Sequence, residues 1–141
     1  MSDEELKPLN WKHAPGVGYT VTRRPDGGMN FVFSDASETT LKHWREFSLE
    51  HLYDSDRLTR NLYDLRALGD LPETAIQYAV EVNNDPSVRN IRLAVITSNQ
   101  NVIQKLRQIA ALTTPGGVEM SVFAGIDEAE AWLNRPLTMV V

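Results

Sequence analysis

Asp64 and Arg66 are the two residues of this chain whose types and spacing could do chemistry. They lie within the segment 61–68, whose other residues are all uncharged. Side chains two residues apart in an extended segment point to the same side, so the carboxylate and the guanidinium can meet. Such a pair could perform acid–base chemistry, form part of a binding site, or fix the turn that follows the strand. The structural role is the interpretation that we favour, and the other two stay open.

Four more polar residues are predicted to lie near this pair. Open α/β sheets bind ligands beyond the carboxyl ends of their strands, and helix N-termini at that edge can attract an anion. Segments 58–66 and 91–97 are predicted to be neighbouring strands whose ends meet there. The candidate ligand- or partner-binding residues are therefore Asp64, Arg66, Asp70, Thr97, Ser98 and Asn99.

The rest of the chain offers little catalytic chemistry. There is no cysteine, and His13, His43 and His51 lack the i, i+4 spacing of a zinc-binding helix. A Gly-x-Ser-x-Gly elbow and a phosphate-binding loop are also missing from the sequence. Arg23 and Arg24 flank a predicted hairpin turn, where we expect solubilising edge charges, with an anion cradle as the alternative. We therefore predict no catalytic residue, no metal and no cofactor, and a protein that is not an enzyme.

Charge and hydropathy exclude several other classes of protein. A net charge of −5 with a pI near 5.1 disfavours nucleic-acid binding, which requires a basic face. No apolar run approaches the roughly 18 residues of a membrane span. The N-terminus is acidic and polar, unlike a secretion signal. These features predict a cytoplasmic protein with no transmembrane segment and no nucleic-acid partner.

The spacing of apolar residues predicts alternating strands and helices. A hairpin is expected over 19–33 around the turn 25–28, then a helix opened by Asp35 or Ser37 that fades near 53–56, then the strand 58–66. A helix capped by Asp70, with Pro72 in its first turn, is expected to end at 83–86, and the strand 91–97 follows. The last elements are a helix capped by Ser98-Asn99 and stopped at 115–117, a strand over 118–124, and a short helix capped by Asp127.

This order of elements predicts an α/β fold with a mainly parallel sheet, right-handed crossovers and one antiparallel edge. At 141 residues the chain is long enough for one domain. We place an N-terminal extension at 1–16, the domain at 17–136, and an apolar C-terminal tail at 137–141. The tail could add an edge strand, dock on the body or meet another subunit.

Several aromatic residues suggest an apolar pocket between the first two helices and the sheet. The residues concerned are Trp44, Phe47, Tyr53, Tyr63 and Tyr78. Ordinary core packing is the favoured interpretation, because a buried helix face has the same spacing of aromatic residues.

Three segments of the chain resemble the SpoIIAA-like proteins, which belong with the STAS domains (sulfate-transporter and anti-sigma-factor-antagonist type). They are Tyr63-Asp64-Leu65-Arg66, the strand segment 93–98, and the closing segment 123–133 with its Asp-Glu-Ala-x-x-Trp-Leu pattern. Together with the hairpin, the resemblance covers about residues 17–134. It implies a sandwich of about five strands and four helices, and a regulatory or ligand-sensing module.

The loop after the central strand departs from that family. In the anti-sigma antagonists a partner kinase phosphorylates a serine there, whereas the loop 65–72 of this chain has no serine or threonine. The nearest hydroxyl belongs to Thr74. The usual phosphorylation switch is therefore not expected. The SpoIIAA-like fold has also been compared with lipid-carrying Sec14-type domains.

Three functional hypotheses follow. The first is a STAS-like regulatory module that docks on a protein partner or on a second copy of itself. The second is a carrier or sensor of a small apolar or amphipathic, lipid-like ligand. The third is an enzyme that uses Asp64 beside Arg66, and it predicts a raised pKa for Asp64 in a concave site.

Overall fold

The computed structural model describes residues 11–51, 59–86, 88, 90–114 and 118–135. Its strands are β1 (Tyr19–Arg23), β2 (Met29–Phe33), β3 (Thr59–Asp64), β4 (Ile91–Ile96) and β5 (Val118–Phe123). Its helices are α1 (Glu38–His51), α2 (Glu73–Asn83), α3 (Gln100–Leu112) and α4 (Ile126–Leu133). The predicted order of elements is confirmed. Predictions about the tail 137–141, the stop at 115–117, the fading of α1 near 53–56, Tyr53 and the side chain of His51 fall outside the described residues, as do residues 1–10 of the predicted extension.

The five strands form one sheet in the order β1-β2-β3-β4-β5. The β1–β2 pair is antiparallel, and the three pairs that follow are parallel. The short turn after Arg23 can join only antiparallel strands, whereas parallel neighbours need a longer crossover, here a helix. The mainly parallel sheet with a hairpin at one edge, predicted from the sequence, is therefore confirmed.

The two faces of the sheet bury different sets of side chains. Helices α1, α2 and α3 cover one face, where Phe31, Tyr63 and Val95 point from the sheet into the larger core. Helix α4 covers part of the other face and packs Ala129 and Leu133 against the alternate strand residues, Leu62, Ala94 and Ile96. Strand β4, which is buried on both faces, accordingly has a continuous apolar run over residues 93–96.

Helix α4 is held by Arg24, for which the sequence predicted a different role. Arg24 is 4% exposed, and its guanidinium donates to Glu130 of α4 at 2.8 and 3.0 Å and to Asp26 at 3.1 Å. Burial alone lowers the pKa of Arg24, but the hydrogen bonds to Glu130 and Asp26 raise it above its ordinary value. The prediction of a solubilising edge charge at Arg24 is therefore wrong, because its partner comes from a distant part of the chain.

The helix caps agree with the sequence in part. Ser37 precedes α1 and its Oγ accepts from the Thr40 amide, and Asn99 caps α3 by accepting from the Val102 amide at 3.1 Å. Asp70 does not cap α2, whose N-cap is Pro72, and Asp127 does not cap α4, whose N-cap is Gly125. Neither Pro72 nor Gly125 makes a side-chain cap hydrogen bond, so the starts of α2 and α4 are not fixed by a capping side chain.

The hairpin meets strand β3 at Gly28 with no room for a side chain. A Cβ added at Gly28 would lie 1.6 Å from the Arg60 carbonyl oxygen, which is backbone and cannot simply rotate away. We predict that Gly28→Ala lowers the free energy of unfolding by about 2–3 kcal/mol, because the seam between β2 and β3 must open to admit the methyl group. Urea denaturation measures the change.

Gly69→Ala is the matched control, since nothing lies within 4 Å of an added Cβ there. Its stability should be equal to or slightly above that of the parent protein. Equal stability of both variants would show that β2 and β3 do not meet this closely.

Candidate functional site

The Asp64–Arg66 pair forms a closed set of hydrogen bonds at the end of β3. The Arg66 guanidinium donates to the Asp64 carboxylate at 2.7 and 3.0 Å, and the Arg66 backbone amide donates to Oδ1 at 3.0 Å. Immediately after the strand, the Leu68 amide donates to the Leu65 carbonyl. The pair therefore fixes the turn that leaves β3, which is the structural role favoured by the sequence.

The side-chain hydrogen bond from Arg66 is the main cause of a lowered pKa at Asp64; partial burial opposes it, and the Arg66 backbone amide adds to it. The hypothesis of an enzyme using Asp64 required the opposite direction, since an acid or base needs a pKa near the working pH. At neutral pH, Asp64 is an ionised carboxylate that is already paired.

The other four predicted site residues engage mainly in local contacts. Asp70 accepts from the Leu71 amide at 2.8 Å and from Lys105 Nζ at 3.3 Å, and its pKa is lowered by these partners, the backbone amide first. Thr97 is buried, and its Oγ1 accepts from the Asn99 amide at 3.2 Å. Ser98 is exposed. These residues follow β3 and β4 at one edge of the sheet, and their role in binding stays a prediction.

An apolar cavity of about 80 Å³ lies between the sheet and helices α1, α2 and α3. Most of its walls are aliphatic, with Leu65, Leu68 and Leu71 from the loop after β3, Leu93 and Val95 from β4, and Leu106 from α3. None of the described residues that line it carries a charge. The described lining is thus uncharged and mostly apolar.

The aromatic residues named from the sequence contribute to this cavity only in part. Trp44 and Tyr63 line it, and Trp44 Nε1 donates to Tyr63 Oη at 2.8 Å. Phe47 instead packs edge-on against Phe31, and the Arg45 guanidinium lies over the Tyr78 ring. The three leucines after β3 were not predicted, because loop residues show no periodicity that identifies their buried side.

Asn61 is a lining residue that the sequence analysis did not single out. It is fully buried in the third position of β3, and its Oδ1 accepts from the Met29 amide at 2.9 Å. Its Nδ2 has no hydrogen-bond partner among the described residues. Such a buried donor costs about 1–3 kcal/mol. The available signal was an uncharged amide at a position that strand alternation places on the same face as Tyr63.

Tyr63, the titratable residue among the described side chains that line the cavity, is uncharged at neutral pH. Burial is the main cause of the raised pKa of the Tyr63 hydroxyl, so this residue stays protonated.

In the part of the chain that the structure describes, no three His, Asp or Glu side chains are grouped to hold a metal ion. None of the described helices has both the length and the hydropathy of a membrane span.

Comparison with known proteins identifies the fold. No protein-family model matches the chain, and no curated protein matches its sequence. Among solved structures, the chain is similar to an uncharacterized protein of the DUF3478 family with a SpoIIAA-like fold from Shewanella loihica PV-4. The TM-score is 0.60 at 18% identity, over 87% of this chain and 99% of that one. The fold is therefore SpoIIAA-like, as the sequence resemblance predicted.

The Asp64–Arg66 pair generates a prediction about pH. A lowered folded-state pKa means that ionised Asp64 stabilises the fold above its unfolded pKa of about 3.9 and that this contribution is lost as pH falls through the lower folded value. We expect Asp64→Asn to cost about 1 kcal/mol at pH 7, allowing for solvent screening of the pair. The difference from the parent protein should shrink below about pH 4.

Urea denaturation at neutral and acidic pH measures this difference. The control is Glu128→Gln, which removes an exposed carboxylate in the first turn of α4. A stability loss in Asp64→Asn that is the same at both pH values would contradict the paired, ionised state of Asp64.

Proposed function

We propose that this chain is a non-catalytic binding module that takes up a small apolar molecule in the cavity between the sheet and helices α1, α2 and α3. The observation that carries the proposal is the cavity itself. Protein cores are close-packed, and voids larger than a water molecule are few. The walls of this partly open cavity lack the packing contacts that a close-packed core would give them. An apolar molecule that fills the cavity supplies such contacts.

The size of the cavity limits the ligand. An engineered cavity of about 150 Å³ binds benzene, which has six non-hydrogen atoms. By the same ratio, a cavity of about 80 Å³ corresponds to about three non-hydrogen atoms, and a molecule of four such atoms lies at its upper limit. Uptake of a long acyl chain would require the helices to move apart. The ligand-sensor alternative of the sequence analysis is therefore proposed in a narrower form, with a small molecule in place of a lipid.

A non-catalytic role agrees with the chemistry of the lining residues. Tyr63 is the titratable residue among the described side chains that line the cavity, and its raised pKa makes it a poor acid or base at neutral pH. Asp64 is engaged by Arg66 at the end of β3. Binding can still serve regulation, since a ligand that binds only the folded state stabilises it by an amount that rises with the logarithm of the ligand concentration above Kd.

Two variants that change the cavity in opposite directions test this function. We expect Ala79→Leu to fill the cavity and abolish binding of xenon or isobutene. Leu93→Ala should enlarge the cavity, strengthen binding of the same probes, and cost about 2–3 kcal/mol of stability. Both residues line the cavity. The measurement is the change in methyl NMR shifts of Val95 and Leu106 on addition of the probe.

The matched control is Ala131→Leu, the same substitution on the exposed side of α4. It should bind the probes like the parent protein. Failure of the probes to shift the Val95 and Leu106 methyl groups in both the parent protein and Leu93→Ala would refute the proposed function.

Docking on a second copy of the chain is a second candidate, favoured by the uncovered side of the hairpin. Thr20, Thr22 and Val32 are exposed there, and Val32 is 48% exposed. Helix α4 lies on β3, β4 and β5, and β1 is the edge strand of the described sheet. An open edge beside an apolar side chain can pair with the same edge of another molecule.

This candidate predicts a dimer whose population rises with protein concentration in sedimentation experiments. Val32→Asp should shift it to monomer without changing probe binding in the cavity, because Val32 lies on the opposite face of the sheet. A parent protein that stays monomeric at all concentrations would argue against self-docking.

A further inference from the structure

We propose that the Asn61 side-chain amide selects the ligand of the cavity, and that this ligand is a small uncharged molecule with one hydrogen-bond acceptor, such as a short ketone or ester. This inference rests on the proposed function and specifies its ligand. Its basis is a buried donor that has no partner among the described residues and that lies in a mostly apolar lining.

The hydrogen bond from Met29 fixes the orientation of Asn61. The Met29 amide is a donor, so the atom 2.9 Å from it must be the Asn61 oxygen and not the nitrogen. The amide cannot flip without leaving that backbone donor unpaired as well. The two N–H groups of Nδ2 are thereby held away from Met29, and the described residues give them no acceptor.

Asn61 lines the cavity together with Leu93 and Met120 of the adjacent strands. The residue is 0% exposed, so no water-sized molecule touches the amide, and a ligand reaches Nδ2 by displacing the side chains around it. These three residues share one level of the sheet, because Asn61 pairs with Leu93 and Leu93 with Met120. A carbonyl oxygen at this level would accept from Nδ2 while its alkyl groups contact apolar side chains.

The charge of the surroundings excludes an anionic ligand. An amide donor alone does not compensate the desolvation of a carboxylate or phosphate, which needs a paired cation. The described lining offers no Lys, Arg or His. The acceptor should therefore be neutral. An alkane would fit by shape but would leave Nδ2 unpaired.

The second asparagine of the cavity does not share this role. Asn83 lines the cavity from the end of α2, and its Nδ2 donates to Thr113 Oγ1 at 3.3 Å. Because that donor is already used within the protein, Asn83 provides a matched control for Asn61.

Three probes of the same shape and size test the inference on the full chain. Acetone, isobutene and acetate each have four non-hydrogen atoms in a trigonal arrangement and differ in the group that faces the amide. With the parent protein, acetone and isobutene should both shift the Val95 methyl resonances. Acetone alone should move the Asn61 side-chain N–H resonances downfield, and acetate should produce neither change.

A pair of variants then measures the selectivity. Since the two probes differ in hydration, the quantity compared is the ratio of acetone affinity to isobutene affinity. We expect Asn61→Leu to lower this ratio about tenfold, the effect of one neutral hydrogen bond. Asn83→Leu should leave the ratio unchanged. Asn61→Leu also removes the acceptor of the Met29 amide. If that variant does not fold, the test is whether acetone shifts the Asn61 side-chain N–H resonances of the parent protein.

The outcomes separate this inference from the function on which it rests. The inference is overturned if acetone binds without moving the Asn61 resonances, if acetate binds as well as acetone, or if a crystal structure shows a water on Nδ2 that acetone does not displace. In each of these cases isobutene binding still supports the proposed function. If neither acetone nor isobutene enters, the proposed function fails and the inference fails with it.

Discussion

The seam between β2 and β3 is the constraint on which the rest of the structure depends. It joins the antiparallel hairpin to the parallel part of the sheet, and it is closed at its start by two adjacent features. Gly28 abuts the Arg60 carbonyl so closely that a methyl group has no room, and the next residue, Met29, donates its amide to the Asn61 side chain. Met29 and Asn61 are also paired in the strand register.

Closing the seam with a side chain has a consequence for the interior. The oxygen of Asn61 accepts from the Met29 amide, so its nitrogen points away from that amide. Asn61 lies on the same face of β3 as Tyr63, which is the face covered by α1, α2 and α3. The same residue that anchors the hairpin therefore places in the wall of the cavity a donor for which the described part of the chain offers no acceptor. The oxygen of Asn61 thus has a structural role, and its nitrogen is the donor on which the proposed ligand selectivity depends.

The sequence predicted what depends on local patterns and failed where partners are distant. Strand and helix order, the hairpin, and the Asn99 cap follow from periodicity and from short-range side-chain chemistry, and all are confirmed. Arg24 was misjudged because its acceptor, Glu130, is 106 residues away. Asp70 was predicted to cap α2, but the helix begins two residues later, after Pro72. Its contact with Lys105 of α3 arises only in the folded chain. The residues around Asp64 and two aromatic residues of the cavity, Trp44 and Tyr63, could be named from the sequence. The leucines that complete the cavity could not, because the sequence of a loop does not show which side chains turn inward.

The two faces of the sheet are held by different forces, and this difference bears on how binding could be sensed. At the C-terminus of α4, Arg60 donates to the Leu133 carbonyl at 2.6 Å and Arg92 to the Arg135 carbonyl at 2.8 Å, both favourable at the negative end of a helix. On the opposite face, the ion pair between Arg45 of α1 and Glu81 of α2 spans 3.4 Å and is partly exposed, so it contributes little. Arg45 also lies over the Tyr78 ring of α2, and apolar side chains of both helices pack in the core around the cavity. A molecule that fills the cavity would add contacts to α1, α2 and α3. Helix α4, which the arginines hold on the opposite face, would gain none.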